Sequence, residues 1–434
     1  MDAHVTALFG LPGFEVLTAV EVDGALELLV QTRQELTGCP ECGAVAVVKD
    51  RRPVWVRDLP IAGRAVVVCW HKRVWCCPHA LCPNKSWTEE HDEIAPRSAL
   101  TERARAWAFD QVAHHDAAVS WVARALGVGW ATIMRIVTVR GTPVIDDPDR
   151  LAGVSALGVD ETSFLRATGT HPTRYLTGVA DLTPGRCARL LDVVPGRSGA
   201  ALGGWLAARD QSWRDVIATA SLDPFRGYAS ALTQHVPQAV RVLDPFHVTR
   251  LGLACTDQVR RRVQQDTLGH RGYTGDPLFG VRRLLRRRAD RLTERQTNRL
   301  QAALRTGDRH GEVTAAWHVA QRLMAVYTRT DPTTAKADAD RLINAAKTSP
   351  IPEIARLGRT LRTWRGELCA HFDHPSVSNG PTENLNLKIK NTKRVARGYR
   401  NYSNYRLRLL LNHGGIRQDQ KPLRLRTRKP RNVA

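Results

Sequence analysis

The stretch Val154-Ser-Ala-Leu-Gly-Val-Asp160 runs through apolar residues into an acid, and two later stretches repeat this pattern, Val216 to Asp223 and Ala239 to Asp244. Short apolar runs bounded by turn residues predict buried strands. Of the intervening segments, Arg174 to Ala180 and Ala188 to Val194 have strand patterns, and Ser198 to Arg209 and Tyr228 to His235 have helical patterns. The resulting order is strand, strand, strand, helix, strand, helix, strand. It predicts an α/β fold with a mixed sheet and helices on both faces.

This arrangement is that of an RNase-H-like domain, and it gathers the acids that follow the strands. Asp160 and Asp223 end two of the predicted strands. Carboxylates gathered on one sheet repel one another, so such a cluster usually indicates a divalent cation. Two Mg²⁺ ions about 3.5–4 Å apart, held by acidic oxygens, support phosphodiester chemistry. The sequence therefore predicts a magnesium site, although each acid taken singly is more often a surface residue.

A third carboxylate is expected from a helix beyond the last strand. The best candidate is Glu383, in the stretch Ser378-Asn-Gly-Pro-Thr-Glu383-Asn-Leu-Asn-Leu-Lys-Ile-Lys390. Pro381 suits a first helical turn, and Ser378 or Asn379 can cap the helix. Basic residues on this helix and its sequel form a predicted DNA-binding strip beside the metals: Lys388, Lys390, Lys393, Arg394 and Arg397.

Cysteines cluster near the N-terminus, where six of the nine fall in the first 82 residues. Two knuckles stand out, Cys39-Pro-Glu-Cys42-Gly43 and Cys77-Pro-His-Ala-Leu-Cys82. The alternating stretches between them, Val45 to Val56 and Ala65 to Trp75, predict a hairpin. Two knuckles at the ends of a hairpin form a zinc ribbon, in which four thiolates close a tetrahedral structural Zn²⁺ site.

The expected zinc ligands are Cys39, Cys42, Cys77 and Cys82. Cys76 and Cys69 compete with Cys77 for the third position, and His79 is a weaker rival. Ordinary buried cysteines are the alternative, but they would not be spaced as two knuckles.

Residues 96–145 predict a helix-turn-helix. An apolar helix ends at Gly127, and Ile133, Ile136 and Val137 line the inner side of the next helix. The exposed side of that second helix offers three side chains to a DNA major groove: Trp130, Thr132 and Arg135. A plain helical hairpin inside a larger bundle is the alternative.

The interval from Asp223 to Glu383 is far longer than that from Asp160 to Asp223, so a domain is inserted. Its composition is helical, notably in Val281 to Arg288, Glu312 to Tyr327 and Ile351 to Cys369. We expect a helical insertion over residues 251–370 that grips DNA with Arg286, Arg287 and Arg288. A solvated arginine face is the alternative reading of the same residues.

The charge balance indicates an anionic partner, since 64 Lys+Arg stand against 42 Asp+Glu for a net +22. Neutralising phosphates releases counterions and drives binding to nucleic acid. With 43% hydrophobic residues the chain has material for packed cores. No apolar run approaches the ~18 residues of a membrane span, and the N-terminus lacks a basic signal start. The chain is expected to be cytoplasmic and nucleoid-associated.

Four motifs carry a further indication: Gly158-Val-Asp160-Glu-Thr-Ser-Phe, Ser221-Leu-Asp223-Pro-Phe-Arg-Gly-Tyr, Leu243-Asp244-Pro-Phe-His247-Val and Ser378-Asn-Gly-Pro-Thr-Glu383-Asn-Leu-Asn. Together with the ribbon and the helix-turn-helix, they resemble bacterial insertion-sequence DDE transposases of the ISL3 family. The resemblance implies that Asp160, Asp223 and Glu383 form the catalytic triad and bind two Mg²⁺ ions, with Mn²⁺ as a substitute. Asp244 and His247 resemble an accessory Asp-x-x-His motif.

The resemblance implies a DNA transposase that binds terminal inverted repeats and carries out metal-dependent strand cleavage and strand transfer. The expected partners are double-stranded DNA, at the transposon ends and the target, and further copies of the chain. At least a homodimer is expected because two ends must be cut. The alternative is a non-catalytic DNA-binding regulator or a domesticated remnant.

The predicted domains are a zinc ribbon (1–95), a helix-turn-helix (96–145), the first part of the catalytic core (150–250), the helical insertion (251–370), the last part of the core with Glu383 (371–412) and a basic tail (413–434). Asp181 and Glu161 have no matching role. Glu161 should point to the face of the sheet opposite Asp160, because successive strand residues alternate.

Overall fold

The computed structural model of the chain describes residues 3–34, 36–377 and 380–416. It divides into two compact units. The first, here called the terminal unit, comprises the chain up to Arg150 together with the residues from Ile389 onward. The second, here called the central unit, is Leu151–Lys388.

The terminal unit begins with a five-stranded sheet in the order β1-β2-β4-β3, with β5 paired to β4. Its elements are α1 (Ala3–Phe9), β1 (Phe14–Val22), β2 (Ala25–Thr32), β3 (Val47–Ile61), β4 (Arg64–Cys76) and β5 (Ser86–Thr88). The predicted hairpin is confirmed as the antiparallel pair β3 and β4. Ala62 and Gly63 both adopt positive φ in its tight turn. The sequence had not indicated β1 and β2, which enlarge the ribbon into a sheet with its own apolar core.

Three helices follow in the same unit, α2 (Glu102–Ala113), α3 (Val119–Ala125) and α4 (Trp130–Ile145). The chain bends by 114° between α3 and α4, and Gly127 takes positive φ in that turn. Val122, Ile133 and Val137 are fully buried between the helices. This is the predicted helix-turn-helix. No single helix of the described ranges is long and apolar enough to span a membrane. Helices α3 and α4 taken together have the length and apolar composition of a span, but the chain is bent between them.

The central unit contains the second five-stranded sheet, in the order β10-β9-β6-β7-β8. Its elements are β6 (Ala156–Leu165), β7 (Arg174–Asp181), β8 (Arg189–Pro195), α5 (Gly199–Ala207), α6 (Gln211–Asp215), β9 (Thr219–Leu222), α7 (Arg226–His235) and β10 (Val240–Leu243). Strands β10, β9 and β6 are parallel, whereas β7 and β8 are antiparallel to their neighbours. The predicted mixed sheet and strand order are confirmed, with one short helix, α6, that the sequence had not indicated, and the fold is RNase-H-like.

One strand is longer than its sequence pattern indicates. The apolar run stops at Val159, yet β6 continues through Asp160 to Leu165 because it pairs with β7 along its whole length. Its parallel pairing with β9 does stop at Val159 and Leu222. Asp160 therefore lies within a strand but just past the end of the parallel part of the sheet.

The insertion is helical, as predicted. Its helices are α8 (Pro245–Leu268), α9 (Pro277–Gly280), α10 (Glu294–Gly307), α11 (Glu312–Val326), α12 (Pro332–Lys347), α13 (Pro352–Thr363) and α14 (Arg365–Asp373). Helix α8 runs unbroken from the end of β10 past residue 251, where the insertion was predicted to begin.

Val281 to Arg288, expected to be helical, is instead a series of turns. The side chain of Gln321 on α11 binds the backbone here: its Nε2 donates to the Arg287 carbonyl (2.9 Å), and its Oε1 accepts from the Ala289 N–H (2.8 Å). These side-chain bonds occupy backbone groups that a continuing helix would use.

Two helices complete the described chain, α15 (Gly380–Val395) and α16 (Tyr402–His413). The chain from Ile389 onward, which lies within the predicted last part of the core (371–412), clusters with the terminal unit. There α16 approaches α4 closely, since a Cβ on Gly141 would lie 2.9 Å from Leu411 Cδ1. The predicted caps Ser378 and Asn379, and the predicted basic tail beyond residue 416, lie outside the described residues.

Candidate active site and metal centres

Three aspartates follow one row of the central sheet. The register pairs Val159 with Leu222, and Leu222 with Leu243, at the ends of the parallel strands. Asp160, Asp223 and Asp244 are the next residues in each case. Neighbouring strands lie ~4.8 Å apart, and residues level with one another share a face. The register therefore aligns these three carboxylates along one edge of the parallel sheet.

Helix α15 brings a fourth carboxylate to β6. Glu383 stands in its first turn. Gly158 permits the approach, because a Cβ there would lie 2.3 Å from Thr382 Oγ1. One turn beyond Glu383, the side-chain amide of Asn386 donates to Asp160 Oδ2. The sequence showed only that Asn386 shares a helical face with Glu383. Its contact with Asp160 became visible only in the fold.

His247 stands between two of the predicted acids. Its Nδ1 lies 3.1 Å from Asp223 Oδ2, and its Nε2 lies 3.5 Å from Glu383 Oε1. Asp244 caps α8 by accepting the Phe246 N–H at 3.1 Å, which holds the turn that carries His247. Ligand atoms of Asp244, His247 and Glu383 all lie within 4.8 Å of one another. The residues that resembled an accessory motif thus contact the predicted catalytic acids directly.

Asp181 and Glu161, the two acids without an expected role, each pair with an arginine. Asp181 is buried and accepts from Arg189 Nε at 2.9 Å. Glu161 pairs with Arg197 at 2.8 Å. Burial raises the pKa of Glu161, an effect that Arg197 opposes and the charge of Asp160 reinforces. Both acids therefore act as partners of arginines.

The donor set at the sheet edge fits a hard divalent cation. Carboxylate oxygens are the ligands that Mg²⁺ prefers, and Asp160, Asp223, Asp244 and Glu383 supply them on rigid elements. The Nε2 of His247 is buried and makes no hydrogen bond with the described residues. It lies 3.5 Å from Glu383 Oε1, so this ring nitrogen faces the cluster. Among the described residues, ligand atoms of Asp244, His247 and Glu383 are close enough to share one cation, whereas Asp160 and Asp223 are not part of that group.

The two cysteine knuckles form one cluster in the terminal unit. Cys39 Sγ lies 3.7 Å from Cys82 Sγ, and Cys42 Sγ lies 3.5 Å from Cys77 Sγ. All four sulfur atoms lie within 4.8 Å of one another. A tetrahedral zinc with Zn–S bonds of ~2.3 Å requires sulfur atoms about 3.8 Å apart. The spacing fits a closed four-thiolate zinc site.

The structure selects Cys77 over its rivals, since neither Cys76, Cys69 nor His79 belongs to the cluster formed by the described residues. Cys76 is the last residue of β4, and its thiol points to the Cys77 carbonyl at 3.6 Å. Burial opposes ionisation of Cys39, but backbone N–H groups of Cys42 and Glu41 lower its pKa to about 7. Burial raises the pKa of Cys77, and it raises the pKa of Cys82 to about 12, so metal binding has to displace the protons of these thiols.

The predicted DNA-contacting residues are mostly exposed. Trp130 and Arg135 are exposed on α4, and Thr132 is half-buried. In the insertion, Arg286 and Arg287 are exposed, whereas Arg288 pairs with Asp290 at 2.6 Å. Of the predicted basic strip, the following are exposed: Lys388, Lys390, Arg394 and Arg397; Lys393 is half-buried.

Family models match three consecutive parts of the chain. One described as "zinc-finger of transposase IS204/IS1001/IS1096/IS1165" matches residues 35–82. One described as "Helix-turn-helix domain of transposase family ISL3" matches residues 89–138. The ISL3-type DDE model, described as "Transposase", matches residues 157–409, which is more than half of the chain.

Curated relatives agree with these models. The chain is 28% identical over 337 residues to the transposase for insertion sequence element IS1557 of Mycobacterium tuberculosis, covering 70% of this chain and 73% of the relative. It is 25% identical over 393 residues to the transposase for insertion sequence element IS1001 of Bordetella parapertussis, covering 88% and 90%. A solved Drosophila P element transposase strand transfer complex aligns with a TM-score of 0.39 at 10% identity, covering 72% of this chain and 92% of that chain. The chain belongs to the ISL3 family of insertion-sequence transposases.

Proposed function

We propose that this transposase cleaves and joins DNA strands at the ends of its insertion sequence, using a divalent-metal site formed by Asp160, Asp223 and Glu383. The observation that carries the proposal is the docking of α15 on β6. Gly158 admits the helix and Asn386 binds Asp160, so the glutamate reaches the row of strand-end aspartates. Bound Mg²⁺ would supply Lewis-acid activation of the attacking oxygen and stabilisation of the leaving one.

The chain's own residues orient this site. Asn386 donates to Asp160 Oδ2, and the Glu161 N–H donates to Asp160 Oδ1 at 2.6 Å, so both oxygens of the carboxylate are held in place. His247 holds Asp223 from one ring nitrogen and faces Glu383 with the other. Asp244 fixes the first turn of α8 and hence the imidazole. Such outer contacts orient ligands in metal sites generally.

DNA capture is assigned to surfaces outside this cluster. The exposed side of α4, with Trp130, Thr132 and Arg135, suits a major groove. Arg286 and Arg287 suit phosphates because they are exposed and are not held by acidic partners in the described structure. The exposed residues of the basic strip, Lys388, Lys390, Arg394 and Arg397, suit phosphates by their charge. Two ends and a target must be handled, so the proposal includes at least a homodimer working on nucleoid DNA.

The terminal unit is proposed to contain one structural zinc held by Cys39, Cys42, Cys77 and Cys82. Four thiolates leave no ligand position open for water, so the ion has no catalytic part. Its contribution is to the folding of the ribbon.

A plasmid excision assay in Mg²⁺ tests the catalytic proposal. The isosteric variants Asp223→Asn and Glu383→Gln should abolish excision while still binding repeat DNA in a mobility-shift assay. Asp215→Asn, an exposed acid of α6, is the matched control and should excise normally. Full activity of Glu383→Gln would show that the third ligand is misassigned. Binding of repeat DNA by the wild type without excision would instead make the chain a DNA-binding regulator.

A further inference from the structure

Phe246 is an exposed aromatic residue in the middle of the candidate active site. Its relative exposure is 56%, although its sequence neighbours in the motif are Asp244, which is buried, and His247, which is half-buried. The ring stands edge-on to the imidazole of His247, with centroids 5.4 Å apart. More than half of the residue is therefore open to solvent, beside an imidazole that contacts the acids proposed to act on a phosphodiester. A single exposed aromatic is ordinary, but its position here is not.

Arg250 lies four residues further along α8, on the same face of the helix. It is exposed, and it has no hydrogen bond or ion pair with any residue that the structure describes. Other arginines of the helix are engaged: Arg260 binds Asp257, and Arg262 binds Glu353. Arg250 is close to the site, since it lies one helical turn beyond His247, whose ring nitrogens face Asp223 and Glu383.

We propose that Phe246 and Arg250 form a nucleotide subsite, in which Phe246 stacks on the unpaired base beside the scissile phosphate and Arg250 binds the adjoining phosphate. The inference rests on the proposed strand cleavage at this site. An aromatic face accepts any base, and a guanidinium binds phosphate in a bidentate manner. Side chains one helical turn apart have Cβ atoms ~5–6 Å apart, so a single nucleotide can contact both.

The subsite requires the base to leave the duplex, because a stacked base pair offers only its edges to a protein. Extruding a base costs a few kcal/mol, and a stacking platform offsets that cost. The occupant is therefore a single unstacked nucleotide, and the positive charge of Arg250 complements its phosphate.

The test measures the cleavage rate for each combination of a protein variant and a DNA substrate. Wild type, Phe246→Ala and Phe246→Trp cleave the element's end carrying either the natural base or an abasic site next to the cut. On natural DNA, Phe246→Ala should be slower by roughly 5- to 150-fold, the equivalent of ~1–3 kcal/mol of stacking, and Phe246→Trp should be near wild type. On abasic DNA the wild type and Phe246→Ala should cleave at similar rates. Equal losses on both substrates would overturn the stacking role.

Two binding measurements stay informative even if cleavage is absent. In Asp223→Asn protein, 5-iodouracil at the flanking position should photo-crosslink to Phe246, and Phe246→Ala should lose the crosslink. Tyr273, another exposed aromatic at 66%, serves as the control, and a crosslink to Tyr273 in place of Phe246 would refute the subsite.

Arg250→Ala should reduce the slope of log affinity against log salt by about 0.9, while Phe246→Ala leaves the slope unchanged. An unaltered slope for Arg250→Ala would show that Arg250 does not contact a phosphate. A wild type that crosslinks at Phe246 but never cleaves would contradict the proposed function and leave the subsite standing.

Discussion

A single methyl group added at Gly158 should displace the glutamate of the candidate active site. In Gly158→Ala the new Cβ would lie 2.3 Å from Thr382 Oγ1 and 2.7 Å from Leu182 Cδ1. Leu182 can rotate away, but Thr382 is buried and β-branched, which restricts its rotation. We therefore expect the first turn of α15 to retreat by about 1 Å to reach an ordinary contact. Glu383 and Asn386 move with it. A misplacement of ~1 Å costs about 100-fold in rate, and overpacking of this kind costs about 1–3 kcal/mol of stability.

The assay is single-turnover cleavage of the element's end, together with thermal unfolding to establish that the variant folds. Gly178→Ala in the same sheet is the matched control, because its nearest neighbour would be Asp160 O at 3.6 Å, an ordinary contact. Thr382→Ala should restore the rate of Gly158→Ala by removing the clashing atom. Thr382 Oγ1 is buried without a hydrogen-bond partner among the described residues, so that change alone should be nearly neutral. Wild-type cleavage by Gly158→Ala, or no rescue by Thr382→Ala, would refute the reasoning.

Three further predictions follow from the described contacts. Cys39→Ser should lose the bound zinc measured by elemental mass spectrometry while Cys76→Ser keeps it, and equal loss in both would contradict the ligand assignment. Asn386→Ala should lower cleavage by about 10- to 100-fold, as loss of an outer metal-site contact does, and weaken Mg²⁺ binding measured by calorimetry; unchanged Mg²⁺ affinity would argue against the contact. Asp116→Ala should destabilise the chain by about 3 kcal/mol in denaturant unfolding, because buried Arg408 loses its carboxylate partner at 3.0 Å and keeps the carbonyl oxygens of Val112 and Ala117, whereas Asp116→Asn should lose less.

Part of the candidate site could be predicted because it is encoded locally. Asp160 and Asp223 each follow an apolar run, and Glu383 follows a Gly-Pro helix start, so strand ends and a helix first turn were recognisable. The choice between Cys76 and Cys77 could not be made in this way. In a sequence motif, two adjacent cysteines are equivalent candidates. In the structure, strand β4 ends at Cys76 and the chain then turns, which directs the thiol of the next residue, Cys77, toward Cys42.

The sequence by itself determined the order of strands in the central sheet, the two cysteine knuckles and the helix-turn-helix, because each depends on apolar periodicity or on residue spacing within one short segment. Only the tertiary structure decided that His247 stands between Asp223 and Glu383, and that the chain from Ile389 returns to the terminal unit. The contact between Asn386 and the β6 aspartate joins residues 226 positions apart. It depends on a close approach at one glycine, and a close approach between distant segments leaves no periodic trace in either of them.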